Sequence, residues 1–175
     1  MNKYKILLFF FLFLILVNKG NAQTIAYANL DFIVKNSNVG KKIILFFDEK
    51  NKKIFDEIKT KESEILKKEK KLISQKNILS DDDYSKKVNE IKKEIKVFND
   101  DRSEKIKKFN LEKDHVSKLF MDEINIVLGD FAEKNKIDII LSSNQMLIGK
   151  TSLDLTKNIL KEVNIKITKF TINNE

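Results

Sequence analysis

Few residues of this 175-residue chain could carry out catalytic chemistry. His115 is the only histidine and there is no cysteine, so neither a His/Cys metal site nor a Cys–His nucleophile pair can be assembled. The acidic run Asp81–Asp83 is a clear cluster of carboxylates, but it follows Ser80 at a turn, where helix capping explains it. The sequence has no glycine-rich loop to hold a phosphate group. We therefore predict a protein that is not an enzyme and needs no cofactor.

Residues suited to binding are more numerous, and the first group is a set of lysines on both sides of that turn. The lysines of interest are Lys67, Lys68, Lys70, Lys71, Lys86 and Lys87. One explanation is a solvated helix surface stabilised by Lys–Glu pairs three or four residues apart. The other is a basic site for an acidic partner, which could be a protein, a membrane surface or lipopolysaccharide.

The second group consists of three apolar residues outside the main apolar repeat. Phe55, Leu66 and Ile73 are separated by 11 and 7 residues. At about 100° per residue, these steps return all three side chains to the same side of a helix. Either they broaden the buried face of that helix, or they form exposed apolar points that could contact a non-native protein.

Two long helices are predicted to carry these residues. From 41 to 135 the chain consists mainly of Lys, Glu, Ile, Leu and Phe, which are compatible with helix. Apolar residues recur with heptad spacing at Phe47, Ile54, Ile58, Ile65, Leu72 and Leu79, and then at Tyr84, Val88, Ile91, Ile95 and Phe98. If the chain reverses at 80–83, apolar residues pair across the helices when their numbers add up to about 163, as for Leu72 and Ile91. We predict an antiparallel coiled-coil hairpin, the arm, over 43–120.

The two ends of the chain are predicted to form a small β-rich body from residues 23–42 and 121–175. The predicted strands are Ile25–Ala28, Asp138–Ser142, Met146–Ile148 and Ile165–Ile172. A short helix is expected after a cap at Ser152 or Asp154. Because four short strands enclose only a small core, we expect the body to oligomerise through its sheets. The predicted fold class is α+β, with a long helical arm on a β-rich oligomerisation body.

The first 22 residues predict export. Lys3 and Lys5 precede an apolar run over Ile6–Val17, and Gly20 and Ala22 follow, as in a signal peptide cleaved after Ala22. The run has 12 residues, fewer than the roughly 20 that span a bilayer, although an uncleaved anchor is the alternative. Cleavage would remove three of the 34 basic residues, leaving 31 against 26 acidic residues and a net charge near +5. This charge suits an acidic partner or surface.

In their order along the chain, these pieces resemble the Skp/OmpH family of periplasmic chaperones. The resemblance depends on the export signal, the segment "NLDFIVKNSNVGKKI", the charged hairpin and "IDIILSSNQMLIGKTSLDLTKNILKEVN". Its most specific residues are Ser37, Gly40, Lys41, Asp154, Leu155 and Thr156. The resemblance implies a homotrimer whose arms enclose a cavity for unfolded outer-membrane β-barrel proteins, held without ATP. The lysines and the three apolar residues above would then contact these client proteins.

Two other functions are alternatives to a chaperone. The first is an exported coiled-coil spacer that binds a folded envelope partner. A spacer needs a continuous apolar seam, and Lys61 and Lys68 interrupt this one. The second is nucleic-acid binding, which only the positive charge suggests. The export signal and the near balance of Lys and Glu count against it.

Overall fold

A computed structural model describes residues 23–172, so the predicted signal peptide over 1–22 lies outside the described residues. The elements are β1 (Ile25–Ala28), α1 (Leu30–Asn36), α2 (Asn38–Ser74), α3 (Asp81–Lys134), β2 (Ile139–Ser142) and α4 (Thr156–Lys166). Two short 3-10 turns, Ser143–Gln145 and Thr151–Leu153, lie between β2 and α4. The structure confirms the predicted fold class, with a long helical hairpin and a small pair of strands near the two ends.

The helices α2 and α3 run antiparallel, as predicted. Three ion pairs join them: Lys50–Glu112, Glu57–Lys105 and Lys68–Glu94. The residue numbers of each pair add up to 162, within one residue of the predicted register. One aromatic contact does not follow this register. The ring of Phe47 lies edge-to-face on the ring of Phe109, with centroids 5.8 Å apart. Phe109 is one heptad before Val116, the partner predicted for Phe47.

The chain reverses over residues 75–80, earlier than the predicted turn at 80–83. Ser80 is the N-cap of α3, since its hydroxyl accepts a hydrogen bond of 3.1 Å from the Asp83 N–H. Asp81–Asp83 form the first turn of α3, where carboxylates are favoured by the helix dipole. Helix capping is expected at this turn, and in the structure the cap is Ser80. The turn was placed too late because the acidic residues belong to the helix itself.

The strands β1 and β2 form a two-stranded parallel sheet, in register from Ile25 opposite Ile139 to Ala28 opposite Ser142. The other two predicted strands are wrong. Met146–Ile148 has no neighbouring strand among the residues described. Ile165 and Lys166 instead complete α4, since the buried series Ile159, Val163 and Ile167 repeats every four residues and favours helix. The segment 168–172 that follows is irregular.

Polar side chains fix the start of the short helices. The hydroxyl of Thr156 accepts a hydrogen bond of 2.9 Å from the Asn29 N–H, which links α4 to the start of α1. Neither predicted cap occupies the N-cap position of α4, which is Leu155 and forms no side-chain cap bond, but the Asp154 carboxylate just before it accepts hydrogen bonds from the N–H and the hydroxyl of Thr156. Ser152 lies within the 3-10 turn Thr151–Leu153. These bonds hold both ends of the chain at the base of the hairpin.

The corner between α1 and α2 depends on a glycine. Ser37 separates the two helices and caps α2, accepting a hydrogen bond of 3.1 Å from the Gly40 N–H. A Cβ atom at Gly40 would lie 1.7 Å from the Val34 carbonyl oxygen and 2.7 Å from the Ser37 hydroxyl. Only a residue without a side chain lets α1 approach α2 this closely.

The buried core lies where the hairpin meets the two ends of the chain. Ile33, Ile124, Ile159 and Val163 are at most 1% exposed. The core continues a short distance into the hairpin through Phe47, Val116 and Phe120. We call this part of the hairpin the arm root, defined as residues 38–50 of α2 and 109–130 of α3. Beyond the root the only buried residues described are Ile65 and Leu72, so the seam of the outer arm is thin.

Candidate functional site

An exposed line of apolar side chains runs along α2. The three residues predicted as apolar contact points are all exposed: Phe55 by 62%, Leu66 by 49% and Ile73 by 66%. Ile44, exposed by 41%, lies on the same side of the helix and was missed in the sequence. We call these four residues the α2 row. At about 100° per residue the row is about 90° away from the seam that faces α3. In this chain the row therefore consists of exposed points and does not widen the buried seam.

A second line of exposed apolar side chains lies on α3. Its members are Val97, Leu111, Leu119 and Ile126, exposed by 65%, 60%, 41% and 60%. At about 100° per residue they fall within about 80° of one another, away from the seam. We call them the α3 row. The sequence contained the signal, a spacing of 14, 8 and 7 residues, but the stronger heptad repeat of the seam obscured it.

The six predicted lysines lie around the tip of the hairpin, and all of them are exposed. Lys68 differs from the others, because its ammonium group contacts both carboxylate oxygens of Glu94 across the hairpin, at 2.7 and 2.8 Å. Among residues 23–172, the other five lysines form no ion pair. Five cationic groups at the tip are therefore available to an acidic partner, whereas Lys68 joins the two helices.

Clefts open between the two helices at the places where lysines interrupt the seam. A cleft of about 840 Å³ opens beside Lys61, between Ile58 of α2 and Phe98 of α3. Closer to the tip, a cleft of about 390 Å³ opens beside Lys68 and is lined by Leu72 and Ile91. A continuous coiled coil would fill these positions with interdigitating apolar side chains. The outer arm is therefore a loosely packed pair of helices.

Two ion pairs lie on the exposed surface in the middle of the arm and shift pKa values there. A hydrogen bond of 2.6 Å between Lys108 and Glu104 lowers the pKa of the Glu104 carboxyl and raises the pKa of Lys108. A hydrogen bond to Glu57 raises the pKa of Lys105. Because these groups are exposed, solvent screens the pairs, which contribute little to stability.

His115 is exposed on α3, and within residues 23–172 no group of acidic residues or histidines could hold a metal ion.

A separate apolar surface lies on the outer face of the parallel sheet. Ile25 faces Ile139 across the two strands, and Tyr27 faces Leu141. Ile25, Ile139 and Leu141 are each about 40% exposed, and the Leu147 and Ile148 side chains in the following loop are almost completely exposed. We call these six residues the sheet surface. Parallel sheets in proteins are normally covered on both faces, so this surface lacks a covering layer within the single chain.

No helix among the described residues is both long and apolar enough to cross a bilayer. This finding applies to residues 23–172, whereas the apolar run over Ile6–Val17 lies outside them.

Comparison with known proteins agrees with this architecture. A solved structure of a candidate outer membrane chaperone (OmpH-like) from Caulobacter crescentus CB15 superimposes with a TM-score of 0.77. The alignment covers 86% of this chain and 89% of the other, with 13% sequence identity, so it establishes the shared fold. No curated protein has a significant sequence match to the chain. A family model described as outer membrane protein (OmpH-like) matches residues 24–163, from just before β1 into the last turns of α4. The chain therefore belongs to the OmpH-like family.

Proposed function

We propose that this protein is an ATP-independent holdase chaperone of the periplasm that binds unfolded outer-membrane β-barrel proteins and prevents their aggregation. The observation that carries the proposal is the α2 row, in which apolar side chains are exposed one at a time along a charged helix. The OmpH-like family, and the description of the Caulobacter protein as a candidate outer membrane chaperone, support it. The predicted signal peptide supports the location.

The spacing of the α2 row suits an unfolded client. Phe55, Leu66 and Ile73 lie about 16 and 10 Å apart along the helix axis, at 1.5 Å per residue. Fully burying one such side chain contributes about 1.5–3 kcal/mol, and a partly exposed contact contributes less. One contact is too weak to retain a client, but several contacts made at once give useful affinity. Separate points of contact do not require a particular client sequence.

The lysines at the tip supply attraction over a longer range. Exposed Lys67, Lys70, Lys71, Lys86 and Lys87 form no ion pair in residues 23–172, so their positive charge acts on approaching molecules. Complementary charge mainly accelerates encounter, and salt screens it over about 10 Å at 0.1 M. We expect clients with net negative charge to be captured faster. Salt should weaken capture without abolishing it, because the apolar contacts remain.

The sheet surface supports self-association, and the resemblance to Skp/OmpH chaperones supports three copies. Exposed apolar residues on both strands give a continuous patch that a second chain would cover. In this proposal residues 23–42 and 121–175 form the trimerisation body, and residues 43–120 of each chain form one arm. Three arms would then surround a cavity in which a single client is isolated. Such clients aggregate through their unpaired strand edges, which the cavity would separate from other clients.

The alternative is a coiled-coil spacer that joins a folded envelope partner. The two clefts along the hairpin count against it, because a spacer transmits position best through a continuous packed seam. The two functions are separated by mixing the chain from Gln23 with a β-barrel protein diluted from urea, without nucleotide. A holdase gives a soluble complex of both proteins on size exclusion. A spacer leaves the unfolded protein in the pellet and binds only folded envelope proteins.

A further inference from the structure

The chain continues beyond the part that matches the family, and this extension packs on the arm root. The family match ends at residue 163, whereas the structure describes the chain to residue 172. We call residues 164–172 the C-terminal brace. It comprises the end of α4 and the irregular segment after it. It contacts both helices of the hairpin near the body.

The first set of contacts holds the start of α2. The Asn164 side-chain oxygen accepts a hydrogen bond of 2.7 Å from the Asn38 N–H. An N–H in the first turn of a helix has no partner within the helix, so this bond satisfies a donor that Ser37 does not reach. Further along, residues 168–172 lie beside Val39, Lys42 and Ile43 around a small cavity of about 320 Å³. The brace therefore follows α2 through its first turns.

The second set of contacts holds α3. The Lys166 ammonium group lies 2.7 Å from an Asp130 carboxylate oxygen. The Phe170 ring packs edge-to-face on the Phe120 ring, with centroids 5.5 Å apart and an interplanar angle of 67°. Phe120 is only 2% exposed, and Phe170 is one of the side chains that cover the core in which it lies. Because the same nine-residue segment contacts both α2 and α3, it joins the two helices at the point where they leave the body.

The arm beyond the root has no comparable support. Between residues 51 and 108 only Ile65 and Leu72 are buried, and the cleft of about 840 Å³ lies in this part of the arm. Segments with few buried apolar contacts open at lower free energy than well-packed ones. Because the brace holds both helices at the root and the outer arm has few buried contacts, we expect the arm to bend in its middle, near the cleft.

We propose that the C-terminal brace is a positioning element, with Phe170 as its central residue, that fixes the direction in which the arm leaves the body. Removing it would transfer bending from the middle of the arm to the root. The proposal concerns the mechanics of one chain and does not depend on the identity of the client.

Hydrogen exchange of the chain from Gln23 tests the proposal. In the Phe170→Ser variant we expect amides of residues 40–47 and 116–122 to exchange about tenfold faster, consistent with the loss of the packing of one aromatic side chain. Exchange in β1 and α1 should change little. The matched control is Lys157→Ser, an exposed residue of α4 outside the brace, which should leave both regions unchanged. Equal acceleration throughout the chain would mean that Phe170 supports only overall stability and would overturn the proposal, as would no change in the root.

Distances between spin labels provide a readout that stability alone does not alter. The labels are placed at Lys161 of α4 and Lys59 of the arm, both exposed, after substitution of each by cysteine. Labelled chains are diluted into unlabelled ones so that pairs within one chain dominate. Truncation after Ile167 retains the buried end of α4 and removes the rest of the brace. We expect the truncation to broaden the distance distribution or shift its centre. An unchanged distribution would show that the brace does not set the direction of the arm.

Discussion

The Lys50 ammonium group of α2 pairs with the Glu112 carboxylate of α3 at the outer limit of the arm root. The Lys50 nitrogen also lies 5.7 Å from the centroid of the Phe46 ring. The second carboxylate oxygen of Glu112 is buried and has no hydrogen-bond partner in the described structure. A partly buried charge with an unsatisfied oxygen costs free energy, which its one cationic partner offsets. The pair therefore fixes the register of the two helices but adds little net stability.

Removing only Lys50 should destabilise the chain. In Lys50→Met the Glu112 carboxylate loses its counter-charge while still partly buried, and we expect the free energy of unfolding to fall by about 1–3 kcal/mol. Urea denaturation followed by circular dichroism measures the change. The double variant Lys50→Met/Glu112→Met should recover much of the loss, since no buried charge remains.

The control for this prediction is the outer ion pair between Lys105 and Glu57, whose side chains are both exposed. Exposed pairs contribute about 0.2–1 kcal/mol, so Lys105→Met should have a clearly smaller effect. Equal losses in the two single variants would show that the burial of Glu112 has no energetic consequence.

Two glycines allow a paired test of the corner between α1 and α2. Gly40→Ala places a methyl group against the Val34 carbonyl oxygen, and we expect a loss of more than about 3 kcal/mol or failure to fold. In Gly129→Ala the new methyl group meets no atom within 4 Å, and the variant should gain about 0.5–1 kcal/mol from helix propensity. Thermal unfolding of both variants measures these changes in stability. A Gly40→Ala chain as stable as the parent would contradict the close approach of the two helices.

The periodic part of the fold was predictable because its signals are local and repeated. The heptad spacing of residues such as Ile65, Leu72 and Ile91 defines a helical hairpin, and Ser80 marks the start of its second helix. The strands near the ends were less predictable, because a strand needs a partner and short apolar segments do not identify one. Met146–Ile148 is apolar enough for a strand, yet the only strand beside β2 is β1 among the residues described.

Alternation also misled the prediction for the end of the chain. The segment Ile165–Ile172 alternates apolar and polar residues as an exposed strand does. The same residues extend the four-residue spacing of Ile159 and Val163 to Ile167, and contact with the core favours the helix. Phe170 lies within this predicted strand, whereas in the structure its ring packs on Phe120. Nothing in the local pattern indicated that distant partner.

Assembly should depend on the sheet surface. Leu141→Lys places a charge in the centre of this surface, and we expect the mature chain to be largely monomeric at micromolar concentration. Leu45→Lys is the control, because Leu45 is 61% exposed on α2 and lies outside the sheet surface. Multi-angle light scattering gives the mass of each. A trimer that persists in Leu141→Lys, or a parent chain that is itself monomeric, would refute assembly through the sheet.

The apolar and basic residues of the arm should affect different steps of client binding. Substituting Phe55, Leu66 and Ile73 by Ser should accelerate client release, since short-range contacts set dissociation rates. Substituting Lys67, Lys70, Lys71, Lys86 and Lys87 by Glu should slow the capture of acidic clients. Lys68 is left unchanged because its reversal would also break its pair with Glu94. Stopped-flow fluorescence with a labelled client resolves both rates.

A matched set of charge reversals serves as the control for the lysines. Its members are Lys113, Lys118, Lys134, Lys157 and Lys161, which are exposed and distant from the tip along the chain. This variant has the same net charge as the tip variant but retains the lysines at the tip. If both variants slow capture equally, the total charge of the protein matters and the tip has no special role.

The most direct test of the account is an aggregation assay without nucleotide. An outer-membrane β-barrel protein is diluted from urea into buffer containing the chain from Gln23, and light scattering is followed with time. We predict that one trimer per client abolishes the rise in scattering, and that the variant with Ser at Phe55, Leu66 and Ile73 protects less at the same concentration. Scattering that rises equally with and without the parent trimer would contradict the holdase function.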